Sequence, residues 1–86
     1  MGDYTITFAR SARKELERFD AQVVNRIFQK IEALAKGPRP IGCRKLHGEK
    51  NLWRIRVGDY RVIYSIDDVE YRIDIVAVRH RSKAYE

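Results

Sequence analysis

The 86-residue chain holds one cysteine, Cys43. No internal disulfide can staple it, and a reducing cytoplasm is its natural setting. The longest uninterrupted apolar run, Ile75 to Val78, is far too short to cross a bilayer. The N-terminus lacks the basic-then-apolar pattern of a secretory signal. Glycine-rich phosphate loops are absent, since Gly37-Pro38-Arg39-Pro40 is a turn rather than a P-loop. One cysteine and two histidines leave no zinc set. Acidic residues are the scarcer charge, 12 against 18 basic ones, which gives a net charge of +6.

What remains is enough to fold. Hydrophobic residues make up 44% of the chain and aromatics 10%, which argues against disorder even with 35% charged residues. The length suits one small domain spanning 1–86. Arginine outnumbers lysine, twelve to six. Its planar fork of donors matches phosphate, where lysine offers only a point charge. The charge is also uneven. Arg44 to Arg61 holds six basic residues against Glu49 and Asp59, while Val62 to Val78 holds Arg72 against Asp67, Asp68, Glu70 and Asp74. A basic excess beside a turn and at the terminus points to an anionic partner, nucleic acid first.

The spacing predicts an α+β architecture. Tyr4 to Phe8 alternates apolar with polar, the period of a half-buried strand. Ala12, Leu16 and Phe19 recur at helical spacing, and Asp20 suits the cap of a second helix marked by Val23, Val24, Ile27, Ile31 and Leu34. Gly37, Pro38 and Pro40 stop that helix. Trp53, Ile55 and Val57 then point one way and Arg54 and Arg56 the other. Gly58-Asp59 suits a two-residue hairpin turn. On the returning strand Tyr60, Val62, Tyr64 and Ile66 share a face, opposite Arg61 and Ile63. Asp67-Asp68 starts another turn, and Tyr71 to Val78 forms a further strand. The two N-terminal helices are expected to pack on a mainly antiparallel sheet.

A two-residue turn sets Arg56 directly opposite Arg61, with Arg54 on the same face. Like charges across an antiparallel pair are destabilising. No carboxylate within either strand shares that face, so a bound phosphate would supply the missing charge, and a carboxylate from a loop or the tail is the structural alternative. The tail, Arg79-His80-Arg81-Ser82-Lys83-Ala84-Tyr85, adds cations and an aromatic able to stack on a base. Packing of Tyr85 against the sheet edge is the plainer use. His47 and His80 are isolated in sequence; an acid–base pair of a metal-independent ribonuclease is one use, and solvated surface positions the commoner one. Cys43 is expected to pack, and Asp67, Asp68 and Glu70 to form a solvated turn.

Three segments together carry a resemblance. Lys45-Leu46-His47-Gly48, the run Leu52-Trp53-Arg54-Ile55-Arg56-Val57-Gly58-Asp59-Tyr60-Arg61-Val62-Ile63-Tyr64, and His80-Arg81-Ser82-Lys83-Ala84-Tyr85 resemble the RelE/ParE toxin superfamily, most closely its RelE branch. The resemblance spans nearly the whole chain. It implies a toxin of a type II toxin–antitoxin pair: an endoribonuclease that enters the ribosomal A site and cuts the mRNA codon there. It also implies a metal-free and cofactor-free reaction in which the nucleotide's own 2′-hydroxyl attacks the adjacent phosphate. A cognate antitoxin would block the toxin, and the pair would bind operator DNA; no membrane is involved.

By the same resemblance, Arg54 and Arg56 take the two basic positions of the first hairpin strand and Arg61 binds phosphate. Arg81 lies near the leaving group, and Tyr85 stacks on the substrate. Arg44, Lys45, Arg79 and Lys83 are the expected flanking contacts to nucleic acid. One departure matters. Members of the family with well-supported mechanisms carry lysines at the first two basic positions where this chain has arginines, and arginine, unlike lysine, stays charged in essentially every protein setting. Arg56 therefore suits holding and polarising phosphate rather than taking a proton. A gyrase inhibitor of the ParE branch and an RNA-binding domain with weak catalysis stand as alternatives.

Overall fold

The computed structural model describes residues 3–48 and 51–83. The elements follow in the order β1 (Thr5–Phe8), α1 (Arg10–Leu16), α2 (Ala21–Lys36), β2 (Arg44–Lys45), β3 (Leu52–Val57), β4 (Tyr60–Asp67) and β5 (Arg72–His80), closed by a 3-10 turn over Arg81–Lys83. The sheet order is β1-β5-β4-β3-β2, parallel only between β1 and β5. The α+β layering expected from the sequence is the observed one. The helices bury Ala12, Leu16, Ile27, Ile31 and Leu34 against Ile55, Val57, Val62, Tyr64, Ile66, Ile73, Ile75 and Val78 from the sheet. Burial of this apolar surface is the main stabilising term.

Several local expectations change. Phe19 lies beyond the end of α1 and packs against Tyr60 with centroids 4.8 Å apart and the rings tilted by 55°. Asp20 occupies the N-cap position of α2, but its side chain makes no capping hydrogen bond. The short β2 strand is too brief to leave a periodic signal. The acidic turn is not simply solvated. Asp67 Oδ1 accepts from the Val69 and Glu70 amides at 3.0 and 2.9 Å, and Asp68 accepts from the Tyr4 hydroxyl at 2.7 Å and from Arg39 Nη2 at 2.9 Å. The Arg39 guanidinium also sits over the Trp53 ring, 4.9 Å from its centroid. The Arg39 bond first, and the Tyr4 bond second, hold the Asp68 carboxyl below its usual range.

The hairpin is in the expected register. Val57 pairs with Tyr60 and Arg56 with Arg61, around a turn in which Gly58 takes φ +62°. Only glycine adopts such a conformation without steric cost. Tyr64 is fully buried, and its hydroxyl donates to the Pro38 carbonyl at 2.8 Å. This fastens the loop after α2 to the sheet, and burial pushes the phenol pKa up, so the group stays a donor. Cys43 packs against the core cluster.

Strand β5 contains a bulge. Ile63 faces Ala77 and Tyr64 faces Ile75, which leaves Val76 as the extra residue. Upstream of it, Ile73 and Ile75 point to the helices. Downstream, Val78 points to the helices and Arg79 away from them.

Candidate functional site

The face of the sheet turned away from the helices carries two cross-strand rows. In the first, Arg56 of β3 lies opposite Arg61 of β4, and Arg61 lies opposite Arg79 of β5. In the second, Arg44 of β2 lies opposite Arg54 of β3. Directly opposed residues have Cα atoms about 4.5–5.5 Å apart. Five arginines from four strands therefore occupy one small field.

The field is graded in burial. Arg54 is 4% exposed, Arg61 is half-buried, and Arg44, Arg56 and Arg79 are exposed. The expectation of an uncompensated cluster needs correction, because neither Arg54 nor Arg61 is without a partner in the folded chain. Arg79 is paired through Nε with Glu15 Oε2 at 3.3 Å. Arg56 makes no ion pair among the described residues.

A cleft of about 460 Å³ opens beside the field at the edge of β3, lined by Lys30 of α2, Ile41, Arg44, Arg54 and Arg56. It exists because the β2 ladder ends at Arg44↔Arg54, so the β3 edge at Arg56 lies beyond it. Ile41 is fully exposed on the rim. Lys30 was not legible as a site residue. The one signal was its spacing four residues after Arg26, which puts both on one side of α2; Arg26 reaches the hairpin turn, its Nη2 lying 2.7 Å from where a Cβ on Gly58 would stand.

The residues singled out from the sequence divide as follows. Arg44, Arg54, Arg56, Arg61 and Arg79 come together. Lys45 does not, because it pairs with Trp53 and alternation turns it to the opposite face from Arg44. Arg81 begins the 3-10 turn with an exposed side chain, and its amide donates to the Asp59 carbonyl at 2.7 Å, which clamps it beside the hairpin turn. Lys83 closes that turn. Tyr85 lies outside the described residues. Arg79, expected as a flanking contact, stands in the central row instead. The bulge hides this from the sequence, since unbroken alternation from Ile73 and Ile75 assigns Arg79 to the core face.

The histidines do not meet. His47 lies before the start of β3, and His80 lies at the far end of the sheet, opposite Tyr60. The length of β3 separates them, roughly 17 Å at the usual rise. His80 packs edge-on against Tyr60 with centroids 5.2 Å apart, and its Nδ1 accepts from the Ser82 amide at 3.2 Å. Alternation from Arg79 turns the ring to the helix side, away from the arginine rows. Groups of three or more metal-ligating side chains are absent among the described residues, and no helix there is long and apolar enough to cross a membrane. The arrangement is chemically one-sided: dense in fixed hydrogen-bond donors of positive charge, without a titratable base among the arginines.

Comparisons with known proteins identify the family and the fold. Residues 6–85 match the family described as ParE toxin of type II toxin–antitoxin system, parDE. Toxin RelE of Mycobacterium tuberculosis is 33% identical over 81 residues, covering 94% of this chain and 80% of its own. Toxin RelG of the same organism is 26% identical over 83 residues, covering 95% of each. The crystal structure of the archaeal RelE–RelB complex from Pyrococcus horikoshii superimposes with a TM-score of 0.82 at 29% identity, covering 95% of this chain and 99% of that one.

Proposed function

Since the chain belongs to the RelE/ParE superfamily of type II toxins, we propose that it is the RelE-type member of such a pair: a ribosome-dependent endoribonuclease that cuts mRNA in the A site. The observation that carries this reading is the row Arg56–Arg61–Arg79. Three guanidiniums side by side across a rigid sheet match the dispersed charge of a phosphate under attack, and protein-bound anions of lesser charge would not need them. A non-nucleolytic inhibitor that docks on a protein has no use for such a row.

In the proposed reaction the 2′-hydroxyl oxygen attacks the adjacent phosphorus, and the bond to the 5′-oxygen breaks. A cyclic phosphate and a 5′-hydroxyl result, the 2′-hydroxyl proton passing to water and the leaving 5′-oxygen taking a proton from water. As the oxygens take up charge, Arg61 and Arg79 donate to the non-bridging ones, in a setting where preorganised donors strengthen most at the transition state. Arg56 polarises the phosphate without accepting the proton. Arg54, largely buried, braces the row; Arg44 and Lys30 contact the flanking backbone. Arg81, beside the hairpin turn, approaches the leaving oxygen, and Tyr85 stacks on the base. Neither histidine takes part, and the reaction draws on no metal or cofactor. Much of the rate then comes from how the substrate is held, which is why the ribosome is required.

A cognate antitoxin is the expected protein partner, and the archaeal relative was solved as a complex with RelB. A net charge of +6 favours fast association with an acidic chain, an effect that salt weakens mainly in the on-rate. The pair binds operator DNA in this scheme, and the toxin acts in the cytoplasm. The deciding experiment maps cleavage of an mRNA on programmed ribosomes, with and without the purified protein, beside the same mRNA free in solution and a gyrase supercoiling assay. Cuts confined to the A-site codon support the reading. Intact mRNA with inhibited gyrase replaces it with the ParE-type alternative, and binding without cutting reduces it to an RNA-binding domain.

A further inference from the structure

Strand β5 outruns its neighbour. The last β1–β5 pair is Phe8↔Ile75, while β5 continues to His80. From Val76 onward the β1 side of β5 has no strand to pair with, and helix α1 fills the gap. The Ala9 amide donates to the Ile75 carbonyl at 2.8 Å, the Ser11 hydroxyl donates to the Val76 carbonyl at 3.0 Å, and the Val78 amide donates to Glu15 Oε1 at 2.8 Å. The other oxygen of the same carboxylate, Oε2, takes Arg79 Nε at 3.3 Å.

One side chain thus joins a backbone donor of the sheet to a guanidinium of the central row. Because Glu15 engages Nε, the two terminal Nη groups of Arg79 remain for an anion. Glu15 also neutralises one of three adjacent cations in the empty protein, where like charges directly opposed are unfavourable. We propose that Glu15 is a positioning residue: it fixes Arg79 beside Arg61 in the orientation that presents its Nη edge to the scissile phosphate. This role rests on the nuclease reading above. The competing explanation is an edge cap only, in which the carboxylate serves the Val78 amide and its contact with Arg79 is incidental.

Glu15→Gln separates the two, because an amide oxygen still accepts from Val78 while the charge is gone. Three measurements are made on the full chain: the side-chain Nε–H resonance of Arg79 by NMR, affinity for a 2′-deoxy oligonucleotide that cannot be cut, and single-turnover cleavage on programmed ribosomes. In Glu15→Gln the Arg79 resonance is expected to move and to exchange faster. Oligonucleotide affinity holds or rises, with a steeper salt dependence from the added positive charge. Cleavage falls roughly tenfold to hundredfold, the scale of a misplaced catalytic contact. Adding Glu15→Gln to Arg79→Ala produces no further loss. An unchanged cleavage rate with a shifted resonance overturns the proposal and leaves an edge cap. So does a loss of cleavage that the Arg79→Ala background does not absorb, which also covers a variant that merely unfolds. An Arg79 resonance indifferent to Glu15→Gln overturns it independently of activity. A parent protein that cuts nothing overturns the nuclease reading instead, and the NMR result still reports whether the pair exists.

Discussion

Arg56 and Arg61 stand directly opposite each other across the β3–β4 hairpin, one residue outside the Gly58-Asp59 turn. The turn fixes this contact, since a two-residue loop permits one register and a one-residue slip of either strand would send its arginine to the helix face. Placing two guanidiniums there works against the hairpin, by up to about 1 kcal/mol. Arg61 has another partner in the folded chain, whereas Arg56 has no ion pair among the described residues. The unequal pair is the centre of the candidate site.

Arg61→Ala is expected to cut single-turnover cleavage on ribosomes by about a hundredfold, the ~3 kcal/mol typical of a lost transition-state donor. Circular dichroism and thermal melting should show the fold retained. A variant that melts far below the parent would make Arg61 a structural group and remove it from the site.

Arg56→Lys tests the missing base. A lysine crowded by cations loses its proton more readily than one in water, whereas arginine does not titrate. The parent's pH–rate profile should therefore lack a limb from this position. The variant should gain one, with the rate rising toward alkaline pH and exceeding the parent's several-fold, within the range general-base catalysis supplies. A profile identical to the parent's would exclude a proton-transfer role at this position.

Gly58→Ala should destabilise by roughly 1–2 kcal/mol, the cost of a left-handed conformation for a residue with a Cβ. In a domain of this size that corresponds to a fall in Tm of about 4–8 °C for each kcal/mol. The added methyl also meets Arg26 Nη2 at 2.7 Å, the flexible end of a side chain that can swing aside. Scanning calorimetry reads the shift. An unchanged Tm would mean the turn re-forms with another geometry.

Asp68 predicts an acid-side dependence of stability. Its carboxyl lies below the ordinary value of 3.8, through Arg39 first and Tyr4 second. A lowered folded pKa contributes stability that is fully present above 3.8 and is lost as pH falls through the folded value. Asp68→Asn should therefore melt nearer to the parent below that pH than at neutrality. Tyr4 gives the mirror case, because the same Asp68 bond raises its pKa above 10.0. Its contribution is present below that value and lost as pH rises through the folded one. Paired melts of parent and variant across both ranges check the two signs, and parallel curves would show the contact to be absent in solution.

What the sequence made legible was local. The hairpin register, the facing of Trp53 to Ile66, and both helices follow from period and turn chemistry. The rest depends on contacts between distant segments. Arg39 was visible only as part of a turn, yet it joins Asp68 and Trp53. Lys30 enters the cleft because β2 stops short, and a two-residue strand leaves no period to detect. Asp20 had the right residue type for a cap, but propensity does not guarantee the bond. Of the arginine field, Arg54, Arg56 and Arg61 were placed together from alternation alone. Arg79 was not, and Lys45 was grouped with Arg44 although adjacent strand residues face opposite ways.

The bulge at Val76 makes β5 a strand that counts its own residues. Most strands accept a longer or shorter turn at either end, since pairing partners restore the register. Between Ile75 and Arg79 that tolerance vanishes. Straightening the strand there without removing a residue would reverse the parity of everything downstream, sending Val78 to solvent and a guanidinium into the aliphatic layer beneath the helices, whereas losing the extra residue together with the bulge would keep both facings. Lengths should therefore drift freely at the β4–β5 turn across related chains, while over these few positions the extra residue and the bulge are kept together or lost together, even where the side chains change. The constraint is arithmetic rather than chemical, and substitution scanning would pass over it.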